Sequence, residues 1–449
     1  MTNGKEWKMI LLFTLPIMAG NILQQLYNFL DGIMVGNYVS ETAFAAVATC
    51  NSLTFMYLSL AMGLSVGVGV VTAQYFGAGR HDELPTAIDT AMILLGLCGL
   101  ALSVFGAVLS PFFLVNLLNV PENILPYAVL YLRIYCVGLF FMFLYNGIAA
   151  TLRGFGDSKA TLYILIVVML FNTALTFLFV VIFRWGVAGA ATSTVLAQTV
   201  CAGISYTYLR KRFPVAKAGK HWDGKIARQM VRLGLPVALQ MGIAAVGTSF
   251  MQRLVNSFSR TVPGIVAAYG AGARVEMLVY VPIMGFQSGL ASFTGQNIGA
   301  GKLDRVKRGY HSTMVMSAAV TIAISAVFFI FAEPIVSFFG LEKDSIKIGA
   351  EMVRFMTTIF WIYSLYTSIG GLLQGAGDTL ILSLTGFTSL GIRVALGYIS
   401  SYAGWLDYRA AWTPVPVGWV FATIILLLRY LSGAWRKKAV AGHFAQGEE

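Results

Sequence analysis

The sequence predicts an all-α integral membrane protein with twelve transmembrane helices, arranged as two six-helix lobes related by a pseudo-twofold axis along the membrane normal. Three observations predict this fold class: an apolar composition, a series of long apolar runs, and an internal repeat. Of the 449 residues, 57% are hydrophobic and only 11% are charged, whereas a soluble chain carries roughly 25% charged residues. The composition therefore favours a chain that lies largely within a bilayer.

Long apolar runs recur along the whole chain, and each is long enough to cross a bilayer as a helix, which takes about 20 residues. The first run has no small-residue cleavage site, so we expect it to be retained rather than removed as a signal peptide. The twelve predicted spans lie at residues 10–36, 42–77, 86–115, 124–151, 158–183, 186–209, 230–257, 264–299, 310–333, 346–373, 380–402 and 412–435.

The internal repeat is clearest in one glycine-rich segment of each half. GLSVGVGVVTAQYFGAGR at 63–80 aligns without a gap with GFQSGLASFTGQNIGAGK at 285–302, an offset of 222 residues (from 63 to 285). Because six crossings separate the two copies, both halves should have the same orientation. We predict an N-terminal lobe at 1–212, a cytoplasmic linker at 213–229, and a C-terminal lobe with a short cytoplasmic tail at 230–449.

The repeated segments also predict local structure. Glycines within a span let helix backbones approach closely in lipid. LRGFGDS at 152–158 matches LQGAGDT at 373–379, and in each the Gly-Asp pair predicts a tight turn whose Asp caps the next helix. GAGK at 299–302 is not a phosphate loop, because Gln296 stands at the first Gly position of that motif and Leu303 at its Ser/Thr position.

The four cysteines lie in apolar spans without the spacing of a metal site, and the histidines are dispersed. We therefore expect no catalytic residues, no cofactor and no metal other than Na⁺ at one site described below. The four cysteines are Cys50, Cys98, Cys136 and Cys201.

The net charge of +12 is compatible with a nucleic-acid partner, but the distribution of the charge favours a membrane. Most Lys and Arg residues fall on one side of the predicted spans, which is the positive-inside bias. We therefore expect both termini in the cytoplasm, a location in the inner or plasma membrane in contact with lipid, no nucleic-acid partner, and a monomer. Basic residues on the predicted cytoplasmic side include Arg80, Arg153, Lys159, Arg210, Lys302, Arg305, Arg308 and Arg436.

A polar stripe follows one face of the first span, because its residues recur at steps of three and four. A carboxylate within a span costs roughly 2.5–3.5 kcal/mol on insertion scales, so Asp31 is expected to face a cavity and to take up H⁺ or Na⁺. The alternative is a structural Asp with a single partner. Gln24 and Tyr27 are candidates for the substrate cavity. Asn28 is a candidate for ion or proton coupling together with Asp31. The stripe consists of Asn21, Gln24, Gln25, Asn28 and Asp31.

Further polar residues within spans are candidates for the same chemistry. Glu276 in the eighth span is either a structural ion pair, for instance with Arg253, or a contact to the ion or substrate. Hydroxyls and amides often bridge helices in membranes, but near Asp31 they become candidate ion ligands or cavity residues. These are Asn172 and Thr176 in the fifth span, Thr194 and Gln198 in the sixth, and Gln240 in the seventh. The prolines expected to bend their helices are Pro16, Pro236 and Pro282.

Several of these segments resemble the multidrug and toxic compound extrusion (MATE) family of transporters over essentially the whole chain. The segments are LPIMAGNILQQLYNFLDGIMVG at 15–36, AQYFGAGR at 73–80, LRGFGDS at 152–158, TGQNIGAGK at 294–302 and LQGAGDT at 373–379. The spacing from Pro16 to Asp31 resembles the DinF-like branch, which implies that Asp31 is the H⁺ or Na⁺ site of the first lobe and that Pro16 permits bending.

Two positions differ from the pattern of the family. Thr176 stands four residues after Asn172, where the DinF-like branch often has a carboxylate. In the seventh span, residues 236–250 contain Gln240 and no acid, where the norfloxacin-exporter-like branch has a Glu. The resemblance therefore assigns coupling mainly to Asp31, with Glu276 in reserve.

The resemblance implies a transporter and not an enzyme: one that exports amphipathic, cationic organic small molecules in exchange for H⁺ or Na⁺ by alternating access. A flippase for lipid-linked precursors is the alternative, since basic residues within the spans would suit an anionic lipid. A membrane receptor or embedded enzyme is a remote alternative without a sensor domain or catalytic cluster to support it. The basic residues are Arg133, Arg253, Arg274, Arg354 and Arg393.

Overall fold

The computed structural model describes residues 1–39, 41–118, 120–213 and 220–440, and within them the side chains of all but residues 27–33, 35–37, 41, 43 and 117. These residues form thirteen α-helices and short π- and 3₁₀-helical turns. The helices are α1 Glu6–Tyr38, α2 Glu41–Gly77, α3 Leu84–Phe112, α4 Leu125–Gly154, α5 Ser158–Thr176, α6 Gly186–Arg212, α7 Gly224–Ser257, α8 Ile265–Gly299, α9 Leu303–Ile330, α10 Ala332–Ser337, α11 Lys343–Ala376, α12 Thr379–Tyr402 and α13 Val415–Leu431.

Twelve helical segments of this described chain are long and apolar enough to cross a membrane, which confirms the predicted number of spans. The six-residue α10 of the described chain is too short for this, and α13 reaches the required length together with the 3₁₀-helical turn that precedes it. Many large apolar side chains on the spans are exposed, including Phe105, Val108 and Leu170. A helix satisfies its backbone hydrogen bonds internally, so exposed apolar side chains on such a helix suit contact with lipid.

The Gly-Asp turns form where they were predicted, but the two aspartates have different partners. Gly156 and Gly377 both have φ near +90°, at 89° and 88°, which glycine adopts at little cost. Asp157 caps α5 by accepting a hydrogen bond from the amide of Ala160 at 3.1 Å. Asp378 makes no such cap. The cap prediction is therefore confirmed for Asp157 and wrong for Asp378.

The chain packs as two compact units, and each contains parts of both repeats. One unit consists of Met1–Met18 and Ile243–Glu449, and the other of Ala19–Gly242. The boundaries between the units fall inside α1 and α7, so neither helix belongs wholly to one unit. The six-helix lobes at 1–212 and 230–449 stay a prediction.

In each unit, a glycine at the matching position of the repeat makes room for the half of α1 or α7 that packs there. In the Ala19–Gly242 unit, Gly63 of α2 lies against Ala238 of α7, where an added Cβ would be 2.2 Å from the Ala238 Cα. In the other unit, Gly285 of α8 lies against Met18 of α1, where an added Cβ would be 2.5 Å from the Met18 Cγ. The prediction that these glycines allow close helix packing is confirmed.

The end of the linker is anchored to α3 within the Ala19–Gly242 unit. Asp89 accepts hydrogen bonds from Arg210 at 2.5 Å and pairs with the His221 Nδ1 at 2.8 Å. The Asp223 amide donates to the Thr90 hydroxyl at 3.0 Å. The Asp223 carboxylate in turn accepts from the amides of Lys225 and Ile226, which lowers its pKa and starts α7.

Candidate functional site

Glu276 lies on α8 one helical turn before Tyr280, so both side chains are on the same face of the helix. The Glu276 side chain is only partly exposed, and its Oε1 atom is buried without a hydrogen-bond partner among the described residues. A buried carboxylate oxygen without a donor is costly. Such an oxygen is a candidate ligand for a cation or a proton.

Aromatic side chains form a wall around Tyr280 in the same unit. The Tyr280 ring meets Tyr363 of α11 edge to face at a centroid distance of 4.9 Å and Phe360 at 5.4 Å. Trp419 of α13 packs against Tyr363 at 4.9 Å. Phe360 and Trp419 are buried, whereas Tyr280 and Tyr363 are partly exposed. Ring faces next to a carboxylate are the surroundings that organic cations prefer.

Arg393 of α12 lies close enough to Glu276 for its positive charge to be felt by the carboxylate. Its guanidinium donates to the Tyr269 hydroxyl at 3.5 Å, and its Nε is buried without a partner among the described residues. The sequence suggested Arg253 as the partner of Glu276. It carries no signal for Arg393, because this residue is distant in sequence and reaches α8 only through its side chain, at Tyr269.

A second polar cluster joins α5 and α6 in the Ala19–Gly242 unit. The Thr176 hydroxyl contacts Asn172 Oδ1 at 3.0 Å and the Ser193 hydroxyl at 2.9 Å, and the Ser193 hydroxyl also donates to the Ala190 carbonyl at 2.8 Å. All three polar side chains are buried. The oxygens of the three side chains thus lie within hydrogen-bond distance of one another in a chain from Asn172 through Thr176 to Ser193.

The backbone changes directly after this cluster. A π-helical segment, Phe177–Ile182, follows Thr176 at the end of α5, and π-helical turns are frequent at functional sites. Asn172 and Thr176 are candidate site residues in the sequence, whereas Ser193 is not. Thr192, Ser193 and Thr194 follow one another directly, so the sequence does not reveal which of their hydroxyls faces α5.

The remaining predicted residues are dispersed. Thr194 donates to the Ala190 carbonyl at 3.0 Å within α6. The Gln198 Oε1 packs beside Gly138 of α4, 2.7 Å from where a Cβ would stand. Gln24 is exposed on α1, and Gln240 is half-buried on α7. The side chains of Tyr27, Asn28 and Asp31 lie outside the described residues, although all three belong to α1.

The three prolines lie inside long helices. Pro16 is in α1, Pro236 in α7 and Pro282 in α8. Pro16 lies two residues before Met18, where α1 passes from one unit to the other. A proline in a helix interior removes one backbone hydrogen bond, so α1 bends more easily close to this boundary.

Comparison with known proteins gives a consistent result over almost the whole chain. The sequence model of the MatE family matches residues 16–178 and again residues 236–399. "Probable multidrug resistance protein YpnP" of Bacillus subtilis (strain 168) is 28% identical over 442 residues, which cover 97% of this chain and 97% of that protein. "Probable multidrug resistance protein NorM" of Thermotoga maritima is 26% identical, with coverage of 96% and 94%.

Solved structures share the fold. A crystal structure described as "MATE in the straight conformation" superposes with a TM-score of 0.87 at 22% identity, covering 97% of this chain and 98% of that chain. The "Outward-facing conformation of a multidrug resistance MATE family transporter of the MOP superfamily" gives the same TM-score of 0.87 at 22% identity, with coverage of 97% for both chains. At this identity the similarity supports the fold alone.

Proposed function

The chain belongs to the MatE family of multi-pass membrane transporters, and from this premise we propose that it exports amphipathic organic cations in exchange for H⁺ or Na⁺. The family supports transport, since its sequence model matches both halves of the chain. The names of the relatives support drug-like substrates. Alternating access, with bending of α1 and α7 at Pro16 and Pro236, would expose the sites to each side of the membrane in turn.

The observation that carries the substrate class is the carboxylate of Glu276 beside the aromatic wall. Tyr280 and Tyr363 present ring surface to a cation, and Glu276 supplies a negative charge one helical turn from Tyr280. A cation over an aromatic face gains about 0.5–2 kcal/mol. A substrate with an apolar body and a positive charge would use both features.

The coupling site in this proposal combines Asp31 with the oxygen cluster of Asn172, Thr176 and Ser193. An added Cβ on Gly20 of α1 would be 3.3 Å from Leu165 of α5, so the two helices touch there. Residue 31 lies eleven residues after Gly20, and Thr176 lies eleven residues after Leu165. Both are therefore about 16 Å further along helices that cross in the same direction.

In the proposed site, Asp31 and the cluster therefore lie at one depth. Hydroxyl and amide oxygens are hydrogen-bond acceptors, and beside the Asp31 carboxylate they would suit a bound H⁺ or Na⁺. The inward movement of one H⁺ or Na⁺ through 100 mV supplies about 2.3 kcal/mol, which offsets the cost of moving one monovalent cationic substrate outward. A tenfold inward gradient of the ion adds about 1.4 kcal/mol, enough for a tenfold substrate gradient.

The flippase alternative has less support. One of the basic residues that suggested it, Arg354, is paired with Glu333 at 3.0 Å. Its charge is therefore already compensated, and it offers little to an anionic lipid.

The test is export of a cationic dye from proteoliposomes that contain the purified protein. An imposed pH gradient and an imposed Na⁺ gradient are applied in separate experiments. Dye movement driven by one of the two identifies the coupling ion. If neither gradient drives dye movement, the exchange mechanism is wrong.

A further inference from the structure

A cavity of about 570 Å³ lies at the start of α9, in the unit that contains Met1–Met18 and Ile243–Glu449. It is on the side of the membrane predicted to be cytoplasmic. Its walls come from the residues that precede α1 and from the first turns of α9. The lining residues are Thr2, Asn3, Gly4, Gly301, Lys302, Leu303, Asp304, Arg305 and Arg308.

The cavity carries an excess of positive charge. Arg305 and Arg308 share a single carboxylate, Glu6, at 3.2 and 2.9 Å. The Lys302 ammonium donates to the Thr2 carbonyl at 2.9 Å and to Asn3 Oδ1 at 3.2 Å, neither of which carries a charge. Asp304 is 84% exposed and pairs with Lys307 instead. Three cations therefore face one bonded carboxylate.

Arg305 is the most deeply placed of these cations. Its side chain is only 10% exposed and lies over the Phe293 ring at 5.5 Å. Its Nε is buried and makes no hydrogen bond with the described residues. A guanidinium withdrawn from water with a free N–H favours an anion as a partner.

The backbone at the start of α9 adds to the positive electrostatic potential of the cavity. α9 runs from Leu303 to Ile330, and no side chain caps its first turn. The first amides of a helix are free donors and carry partial positive charge. Together with Lys302 and Arg308, they resemble the arrangement that binds phosphate at helix N-termini.

The internal repeat shows that this charge is not a requirement of the fold. At the offset of 222 residues, Arg80 corresponds to Lys302 and Glu83 to Arg305. In the first repeat, Arg80 pairs with Glu83 at 2.5 Å, so the start of α3 neutralises itself. In the second repeat, the acid is replaced by a base.

From this geometry we propose that the cavity at the start of α9 binds a phosphate group. The phosphate is carried either by an anionic lipid headgroup or by a soluble phosphate ester. Both present the same chemistry, a compact anion with several acceptor oxygens that arginine and lysine bind through charge-assisted hydrogen bonds. A span ends here, so the cavity lies at the depth of lipid headgroups.

The experiment measures ligand binding to the detergent-purified full chain by native mass spectrometry and by the shift in its thermal unfolding midpoint. The probes are short-chain phosphatidylglycerol, short-chain phosphatidylcholine and inorganic phosphate. Retention of phosphatidylglycerol over phosphatidylcholine supports a lipid source, and binding of inorganic phosphate supports a soluble source. Binding of neither phosphatidylglycerol nor inorganic phosphate overturns the proposal, and so does equal retention of the two lipids without binding of inorganic phosphate.

The variants locate the site. Lys302→Gln combined with Arg308→Gln should weaken the binding of the retained probe about tenfold or more, since two charge-assisted contacts are lost. Arg80→Gln, at the matching position of the first repeat, is the control and should change affinity less than twofold. Arg308→Gln alone serves if the double variant does not fold. Unchanged affinity in a folded variant overturns the proposal.

Discussion

Gly67 of α2 lies directly against Met230 of α7: an added Cβ on Gly67 would stand 2.0 Å from the Met230 carbonyl oxygen. The same relationship recurs at the matching position of the second repeat, where an added Cβ on Gly289 of α8 would stand 2.2 Å from the Thr14 hydroxyl of α1. Each glycine therefore allows close packing of the first helix of the other repeat: α7 packs at Gly67, and α1 packs at Gly289.

This contact predicts that Gly67→Ala destabilises the protein. Overpacking a close contact typically costs about 1–3 kcal/mol, which exceeds the roughly 0.5–1 kcal/mol that alanine gains over glycine in a helix. Gly203 of α6 is the matched control, since an added Cβ there meets no atom within 4 Å. We expect Gly203→Ala to raise the thermal unfolding midpoint in detergent and Gly67→Ala to lower it. Equal midpoints would contradict the packing described here.

The two repeated aspartates predict unequal costs for the same substitution. Asp378 is 4% exposed and accepts from the Arg429 Nε at 2.6 Å. Loss of one partner of a buried ion pair typically costs about 3–5 kcal/mol. Asp157 caps α5 and accepts from the Tyr208 hydroxyl at 2.7 Å, and Asn can keep both contacts, because it caps helices about as well as Asp and its amide oxygen also accepts hydrogen bonds.

Asp378→Asn should therefore lower the thermal unfolding midpoint more than Asp157→Asn does. Both variants retain a polar side chain of similar size, so the comparison isolates the charge. The reverse order would show that Arg429 contributes little to stability.

Glu276→Gln should weaken export of a cationic dye without reducing the amount of folded protein. Removal of the charge beside the aromatic wall should raise the half-saturating dye concentration about tenfold, because an ionic contact and its cooperation with the rings are lost. Glu342→Gln is the control, since Glu342 is an exposed carboxylate before α11. The measurement is the initial rate of dye export at several concentrations, and an unaltered concentration dependence would argue against Glu276 as a substrate contact.

Asp223 predicts a pH dependence of stability. The amides of Lys225 and Ile226 lower its pKa from the value of 3.8 expected for the unstructured chain. A lowered pKa in the folded state contributes stability that is present above pH 3.8 and is lost as the pH falls through the folded-state pKa. Asp223→Asn should therefore lower the unfolding midpoint at neutral pH, and the difference from the unaltered chain should shrink towards pH 3. A constant difference would contradict this account.

Much of the fold could be predicted because its signals are local or repeated. Apolar runs mark the spans, and the GAGR and GAGK segments align the repeats without any knowledge of packing. The exchange of helix halves at Gly63 and Gly285 could not be predicted in this way. Close approach at a glycine does not identify the helix that approaches.

The site could be predicted less completely for the same reason. Asn172 and Thr176 share a helix face, so their spacing was informative. Ser193 and Arg393 contact residues of other helices through their side chains. The sequence carries no signal for such contacts. Asp378 shows the same limit: its Gly-Asp turn was predicted correctly, but its partner Arg429 lies on another helix.

The most direct test of exchange-driven export is gradient-driven dye export by Asp31→Asn in proteoliposomes. Asn keeps the size and polarity of the side chain but cannot exchange a proton or neutralise Na⁺. Asp82→Asn, at an exposed position between α2 and α3, is the control. We predict that Asp31→Asn remains folded and inserted yet exports no dye in response to either gradient, while the control exports normally. Export by Asp31→Asn at the rate of the unaltered chain would contradict the account.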